Sequence, residues 1–339
     1  MNTKTKNTKI LNYFVKTLNG MAYGLFSTLI IGVIIRQLGI LTDFQPLINL
    51  ANALIELMGV GIGIGVAYSL DRSGLKLIAG AIAGGIATKI ATPDPVVAYL
   101  TAILAIETVG WILKRKTPLD IILIPLLSAM ISLIIVMIIG EPVATFMAYI
   151  GVVITAATTV QPFLMGIIIA LVMGMLLTAP ISSAAIAISI GLSGIAGGAA
   201  VVGGAVQMIG FAVMSRKDNN FGTVLSIAFG TSMLQFKNIL RKPILWVPTL
   251  IVSAILGPVS TLLFKMETNY SGSGMGTSGL VGQIATIDAM GANLRVWLMI
   301  LALHILLPII LVWIIDKIFR VKGWIKLGDL SLSEQKNPS

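Results

Sequence analysis

The chain alternates between long apolar runs and short polar or basic interruptions. Runs near 18–35, 47–69, 77–91, 96–113, 119–139, 143–159, 162–178, 181–214, 243–264 and 297–315 carry few charges. Most are close to the roughly 20 residues that an α-helix needs to cross a bilayer. None alternates as a half-buried strand would, so the pattern predicts helices. The stretch 181–214 is too long for one straight span and predicts a tilted or broken helix. Two segments fit no span. Residues 221–236 lie between basic clusters, and 270–293 (YSGSGMGTSGLVGQIATIDAMGAN) is too polar and glycine-rich to face lipid. Both are expected to be re-entrant, because irregular backbone at membrane depth survives only where protein or a water-filled cavity covers it.

Composition turns this pattern into a class. Of 339 residues, 57% are hydrophobic and 11% charged, with a mean hydropathy of +1.00. A soluble domain has about 45–50% apolar and about 25% charged residues, and disorder requires low hydrophobicity. Aromatics at 6% argue against a barrel with aromatic girdles. The expectation is an all-α, polytopic membrane helix bundle of about ten transmembrane helices with two re-entrant hairpins. It forms one membrane-embedded domain over 1–339: scaffold helices mainly in 18–139, substrate-site elements mainly in 143–293, a closing helix at 297–315 and a cytoplasmic tail at 320–339. Without cysteine and with one histidine, no disulfide, metal site or cofactor is expected.

The net charge of +10 follows from topology. Basic residues gather at the N-terminus (Lys4, Lys6, Lys9, Lys16), at Arg72/Lys76, Lys114–Lys116, Arg216/Lys217, Arg241/Lys242 and Lys317–Lys326. Placing these clusters inside puts both termini in the cytoplasm and leaves no basic domain for nucleic acid. Charges within the spans are expensive, at least about 2.5–3.5 kcal/mol each on insertion scales. That makes Glu107, Glu141 and His304 candidates for coupling or for supporting the site, with Glu107 expected to pair with Lys89. Glu141 is expected at a span boundary, capping a helix that Pro142 opens.

Solute-binding candidates are the polar residues left at membrane depth. Thr231, Gln235 and Asn238 fall on one face if their segment is a helix, with Lys237 turned toward headgroups. Gly276, Thr277, Ser278, Gln283 and Asp288 make a lining rich in donors and acceptors, which suits a hydroxyl-bearing solute. Gln207 is a lone amide that needs a partner. The glycine string 274–279 matches a dinucleotide-loop pattern in letters but lacks the strand and βαβ unit that would give it that meaning. Small-residue pairs such as Gly20/Gly24, Gly59/Gly63, Gly61/Gly65, Gly80/Gly84 and Gly194/Gly198 predict close helix crossings or a subunit interface.

Three strings, 162–215, GTSMLQFKNILRKP (230–243) and KMETNYSGSGMGTSGLVGQIATIDAMG (265–291), resemble the perfringolysin-regulator-like branch of phosphotransferase-system enzyme IIC proteins. The resemblance implies a bacterial inner-membrane homodimer similar to the sugar-translocating IIC domains of the glucose superfamily, with re-entrant hairpins around a sugar site. Those systems pass phosphate through a IIA histidine and a IIB cysteine or histidine. With no cysteine and only His304, this sequence is expected to need a IIB or regulatory protein in trans, or to transport without phosphorylation. Glu141-Pro142 matches the superfamily's Glu-Pro motif in letters, though its surroundings differ. The leading expectation is a permease for a sugar or other small polar solute. The alternatives are a membrane-embedded regulator of gene expression and a carrier for an anionic or lipid-like metabolite.

Overall fold

The computed structural model describes residues 3–90, 94–114, 117–179 and 181–332. Arg115, Lys116 and tail positions 333–339, all named above, lie outside them. Among the described residues the regular structure is helical, apart from an isolated antiparallel bridge between Gly194 and Thr268. The chain divides into two compact units, Met1–Ala148 and Tyr149–Ser339.

In the first unit α1 (Thr3–Leu25) runs through a π-helical turn at Phe26–Ile30 into α2 (Ile31–Leu41). Helices α3 (Gln45–Glu56) and α4 (Met58–Ser69) are bent by 47° at the break between them. Next come α5 (Leu75–Ile90) and α6 (Pro95–Ile112). The start of α6 combines proline at the first position with Asp94, whose carboxylate accepts from the amides of Val96 and Val97 at 2.7 and 3.3 Å.

Helix α4 carries glycine on two faces, and each face meets a different neighbour. A Cβ at Gly61 or Gly65 would meet the backbone of Gly24 or Gly20 on α1, and one at Gly59 or Gly63 would meet that of Gly84 or Gly80 on α5. Alternate glycines thus let α4 touch two antiparallel helices backbone to backbone. These faces are consumed within the unit, which accounts for the small-residue pairs as packing inside one chain.

The ion pairs differ from the expected ones. Lys89 reaches Glu56 at 3.0 Å, whereas Glu107 accepts from Arg72 at 3.3 Å and from the Tyr13 hydroxyl at 3.1 Å. The turn after α4 brings Arg72 beside α6, a placement that sequence spacing does not reveal. Both pairs are partly exposed, so each is expected to contribute less than about 1 kcal/mol. A double-mutant cycle on Arg72→Ala and Glu107→Ala should give a coupling of about 0.5–1 kcal/mol in thermal or denaturant unfolding. The cycle on Lys89→Ala and Glu107→Ala should be additive; equal couplings would refute this pairing.

Helix α7 (Asp120–Thr158) is continuous over 39 residues, and the boundary between the units falls inside it. At 1.5 Å per residue it is about 58 Å long, well beyond a hydrocarbon core of about 30 Å. Only 22% of its apolar window is buried, so the rest is left for lipid. The expected break at Glu141-Pro142 does not occur: both residues lie exposed inside the helix, and Glu141 caps nothing. Proline removes one helical N–H, a loss that transmembrane helices absorb. Two expected spans therefore merge into one helix. By length and apolarity six described helices can cross a bilayer, seven if the bent α3–α4 pair counts as one span. The expected spans 77–91 and 162–178 correspond to shorter helices, α5 and α8.

The second unit is built around α10. In order it contains α8 (Pro162–Thr178), α9 (Ser183–Ser189), α10 (Gly194–Ser215), α11 (Phe221–Leu225), α12 (Phe236–Arg241), α13 (Val247–Pro258), α14 (Val281–Met290), α15 (Leu294–Ile300) and α16 (Leu307–Val321). The long apolar run 181–214 resolves as a broken helix, α9 and α10 joined through Gly191 and Gly194, both at positive φ. Helix α10 is almost wholly buried and packs on α8, α13 and α16. Its glycines make this possible. A Cβ at Gly203 would strike the backbone of Ala170, and one at Gly198 the carbonyl of Met266. After α16 the chain turns at Gly323 (φ 72°) and packs back onto the unit, burying Ile325 and Leu330 in the core. Residues of the 320–339 tail are therefore, through Leu332, part of the fold.

Candidate functional site

The segment after α13 is irregular yet buried. Met266, Thr268, Ser273, Thr277 and Ser278 are all nearly inaccessible, which excludes an ordinary solvent loop. Its backbone is held by the α9–α10 break: Gly194 and Thr268 exchange amide–carbonyl bonds of 2.8 and 3.3 Å, Ser273 donates to the Leu192 carbonyl at 2.5 Å, and Ser183 donates to the Gly274 carbonyl at 2.6 Å. Gly276 (φ 54°) lies against the backbone of Gly204 and Ala205 on α10, where no side chain fits. Leu280 also adopts the left-handed region (φ 60°) just before α14, a conformation that normally costs a non-glycine residue and persists only where surroundings enforce it.

The segment 221–241 is likewise a broken element. Helix α11 passes through a π turn at Ser226–Gly230 to an extended Thr231 (φ −162°, ψ 137°), then a 3₁₀ turn at Ser232–Gln235 leads into α12. The break spoils the helical face expected for Thr231, Gln235 and Asn238. Thr231 caps the 3₁₀ turn by accepting from the Met233 amide at 3.1 Å. Gln235 and Asn238 bond to each other at 2.7 Å and donate to the carbonyls of Leu330 and Ser331 in the C-terminal segment. Lys237 is buried rather than turned to headgroups, and donates to the Leu332 carbonyl at 3.2 Å.

The two broken segments meet. Thr277 donates to the Ala228 carbonyl at 2.5 Å, and Ser278 to the Gly230 carbonyl at 2.8 Å. The π turn before the break leaves these carbonyls free to accept. Next to them, Ser232 and Thr178 share a hydrogen bond of 2.9 Å. Thr178 also reaches Gln207 Oε1, which accepts from the Trp246 indole and the Thr249 hydroxyl, each at 3.0 Å. The indole can only donate, so it fixes the orientation of the Gln207 amide. Gln207 therefore finds the partners it was expected to need, yet its Nε2 has none among the described residues.

On the other side Gln283 Nε2 donates to the Gly276 carbonyl at 3.3 Å and lies 3.0 Å from His304 Nδ1. With the amide nitrogen as donor, Nδ1 accepts and His304 carries its proton on Nε2. Gln283 Oε1 and His304 Nε2 are then a buried acceptor and a buried donor with no partner among the described residues. Three hydroxyls of this unit, Ser253, Ser260 and Thr268, share that condition. What distinguishes Gln207, Gln283 and His304 is that each is held on one side and has spare capacity on the other. An unmet buried polar group costs about 1–3 kcal/mol.

The remaining candidates take no part in these hydrogen bonds. Asp288 is exposed near the end of α14 and accepts from Asn269 at 2.9 Å. Glu107 and Glu141 belong to the helices described above. Sequence reading passed over Thr178, Trp246 and Thr249, single polar residues in apolar helices with no spacing to connect them. Ser232 stood inside a quoted string but off the assumed helical face.

A family model described as "Phosphotransferase system, EIIC" matches residues 15–332. No curated protein and no solved structure matches the chain.

Proposed function

From the premise that the chain belongs to the phosphotransferase system EIIC family and is a multi-pass membrane component of sugar transport, we propose that it is a permease for a neutral, hydroxyl-rich solute. The solute is a sugar or polyol, carried across the bacterial inner membrane by alternating access, with both termini in the cytoplasm and two copies forming a homodimer. The observation that carries this reading is the buried cluster of Gln207, Ser232, Thr277, Ser278, Gln283 and His304. It is made of uncharged donors and acceptors, and three of its members have a buried polar atom with no partner among the described residues. Sugar hydroxyls both donate and accept, and match such a set. The same composition disfavours an anionic cargo, which calls for Arg, Lys or a helix N-terminus. Thr231 and Gly276 shape the backbone of this site. Phosphoryl transfer is left to a IIB partner rather than to these residues, which include no cysteine and whose one histidine bonds Gln283 through Nδ1.

The test is thermal unfolding of the purified protein against neutral sugars and polyols, with the corresponding sugar phosphates as the contrasting panel. A ligand of the folded state at 100 times its Kd adds about 2.7 kcal/mol of stability. A neutral compound is expected to raise the midpoint by several degrees. Stabilisation by phosphorylated compounds alone would refute the reading.

A further inference from the structure

The C-terminal segment is held in an unusual way. Its backbone, rather than its side chains, carries most of the attachment. Asp218 accepts from the amides of Gly328 and Leu330 at 3.0 and 3.1 Å. Asn219 brackets the same stretch, donating to the Leu330 carbonyl and accepting from the Leu332 amide, both at 2.8 Å. Gln235, Lys237 and Asn238 take the carbonyls of Leu330, Leu332 and Ser331. Lys242 pairs with Asp329 at 2.6 Å, and Ile325 and Leu330 are fully buried beneath these contacts.

Four of the residues that grip the tail, Gln235, Lys237, Asn238 and Lys242, stand on the segment 226–242, whose opposite end forms the polar cluster. Gln235 ends the 3₁₀ turn that Ser232 begins, and Ser232 bonds Thr178. The carbonyls of Ala228 and Gly230, just before the turn, receive Thr277 and Ser278. Short hydrogen-bonded turns are stiff in the sense that matters here: moving Gln235 relative to the tail moves Ser232 relative to Thr178, unless the turn itself unfolds. Buried polar groups that lose their partners are costly, so the grip is favoured as a whole or released as a whole.

We propose that residues 324–332 are a clasp that fixes the position of the 226–242 hairpin, so that release of the tail loosens the polar cluster at the hairpin's other end. Coupling of this kind is reciprocal: occupancy of the cluster then biases the tail, which gives the protein a cytoplasmic element able to report on its interior. The clasp rests on contacts alone and does not require the cargo to be a sugar.

Hydrogen–deuterium exchange of the full chain in lipid nanodiscs tests it without any solute. The double variant Asp218→Ala/Asn219→Ala deletes four of the hydrogen bonds to the tail backbone and introduces no buried charge. Leu330→Asp opens the tail by a different route. In each, the amides of 324–332 should exchange at least tenfold faster. The amides of 228–235 and 277–280 should follow, with α4 and α6 of the first unit unchanged. Faster exchange confined to 324–332 would overturn the coupling, and a tail that stays protected in the double variant would overturn the clasp itself. Should Leu330→Asp accelerate exchange everywhere, the double variant decides, because its residues lie at the rim of the contact.

Discussion

Valine at Gly63 or at Gly203 is expected to eliminate most of the folded protein, seen as loss of the monodisperse peak in size-exclusion of detergent extracts. At both positions the added atoms meet backbone: Gly80 in one unit and Ala170 in the other. A clash with a side chain can be relieved by a new rotamer at about 1–3 kcal/mol. A clash with a carbonyl on a packed helix requires the helices to separate, which forfeits the contacts along both. Native proteins hold only about 5–15 kcal/mol in reserve, and transmembrane helices have little hydrophobic drive to reassociate once parted. Gly85→Ala is the internal contrast. Its new methyl meets only the Val60 side chain, at 3.1 Å, and alanine favours the helix by about 0.8–1 kcal/mol. Normal yield and thermal midpoint are expected there, and an equal loss in all three variants would show that backbone contact is not the cause.

Gln283→Ala is expected to abolish solute binding while Asp288→Asn leaves it intact. Gln283 holds the Gly276 carbonyl and His304, and its oxygen is buried with no partner among the described residues. On the proposed reading, removing the amide takes away a ligand of the solute and lets the imidazole turn. A loss of at least a hundredfold in affinity corresponds to about 2.8 kcal/mol, within reach of two buried hydrogen bonds. Asp288 is exposed and satisfied by Asn269, and an asparagine there keeps an oxygen for that bond. The measurement is binding of whichever neutral compound stabilises the parent protein, on variants that elute as the parent does. Unchanged binding in Gln283→Ala, or loss in Asp288→Asn alone, would sink the site assignment.

Gln207, Thr277, Ser278 and Gln283 were visible in the sequence because polar residues at membrane depth are expensive and stand out against apolar neighbours. The family was legible for a related reason, since the strings around these residues are long and distinctive. Gln235 and Asn238 stood out equally, yet they hold the tail. A helical wheel assumes a continuous helix, and the extended Thr231 removes that assumption. Lys89 and Glu107 show the same limit: their spans follow one another in the chain, but Lys89 pairs with Glu56 on α3 and Glu107 with Arg72 in the turn after α4.

Sequence alone thus determined the all-helical membrane bundle, because bilayer thickness and the cost of bare backbone in lipid leave few alternatives for long apolar runs. Composition also fixed the absence of cysteine chemistry in these residues. Tertiary structure decided which glycines touch, which charges pair, that Glu141 lies inside a helix, and that the tail is folded onto the broken segment 226–242. Those outcomes depend on contacts between residues far apart in the chain. Two-fold choices of face and partner are settled only when helices pack to van der Waals distance and every buried donor must find its acceptor.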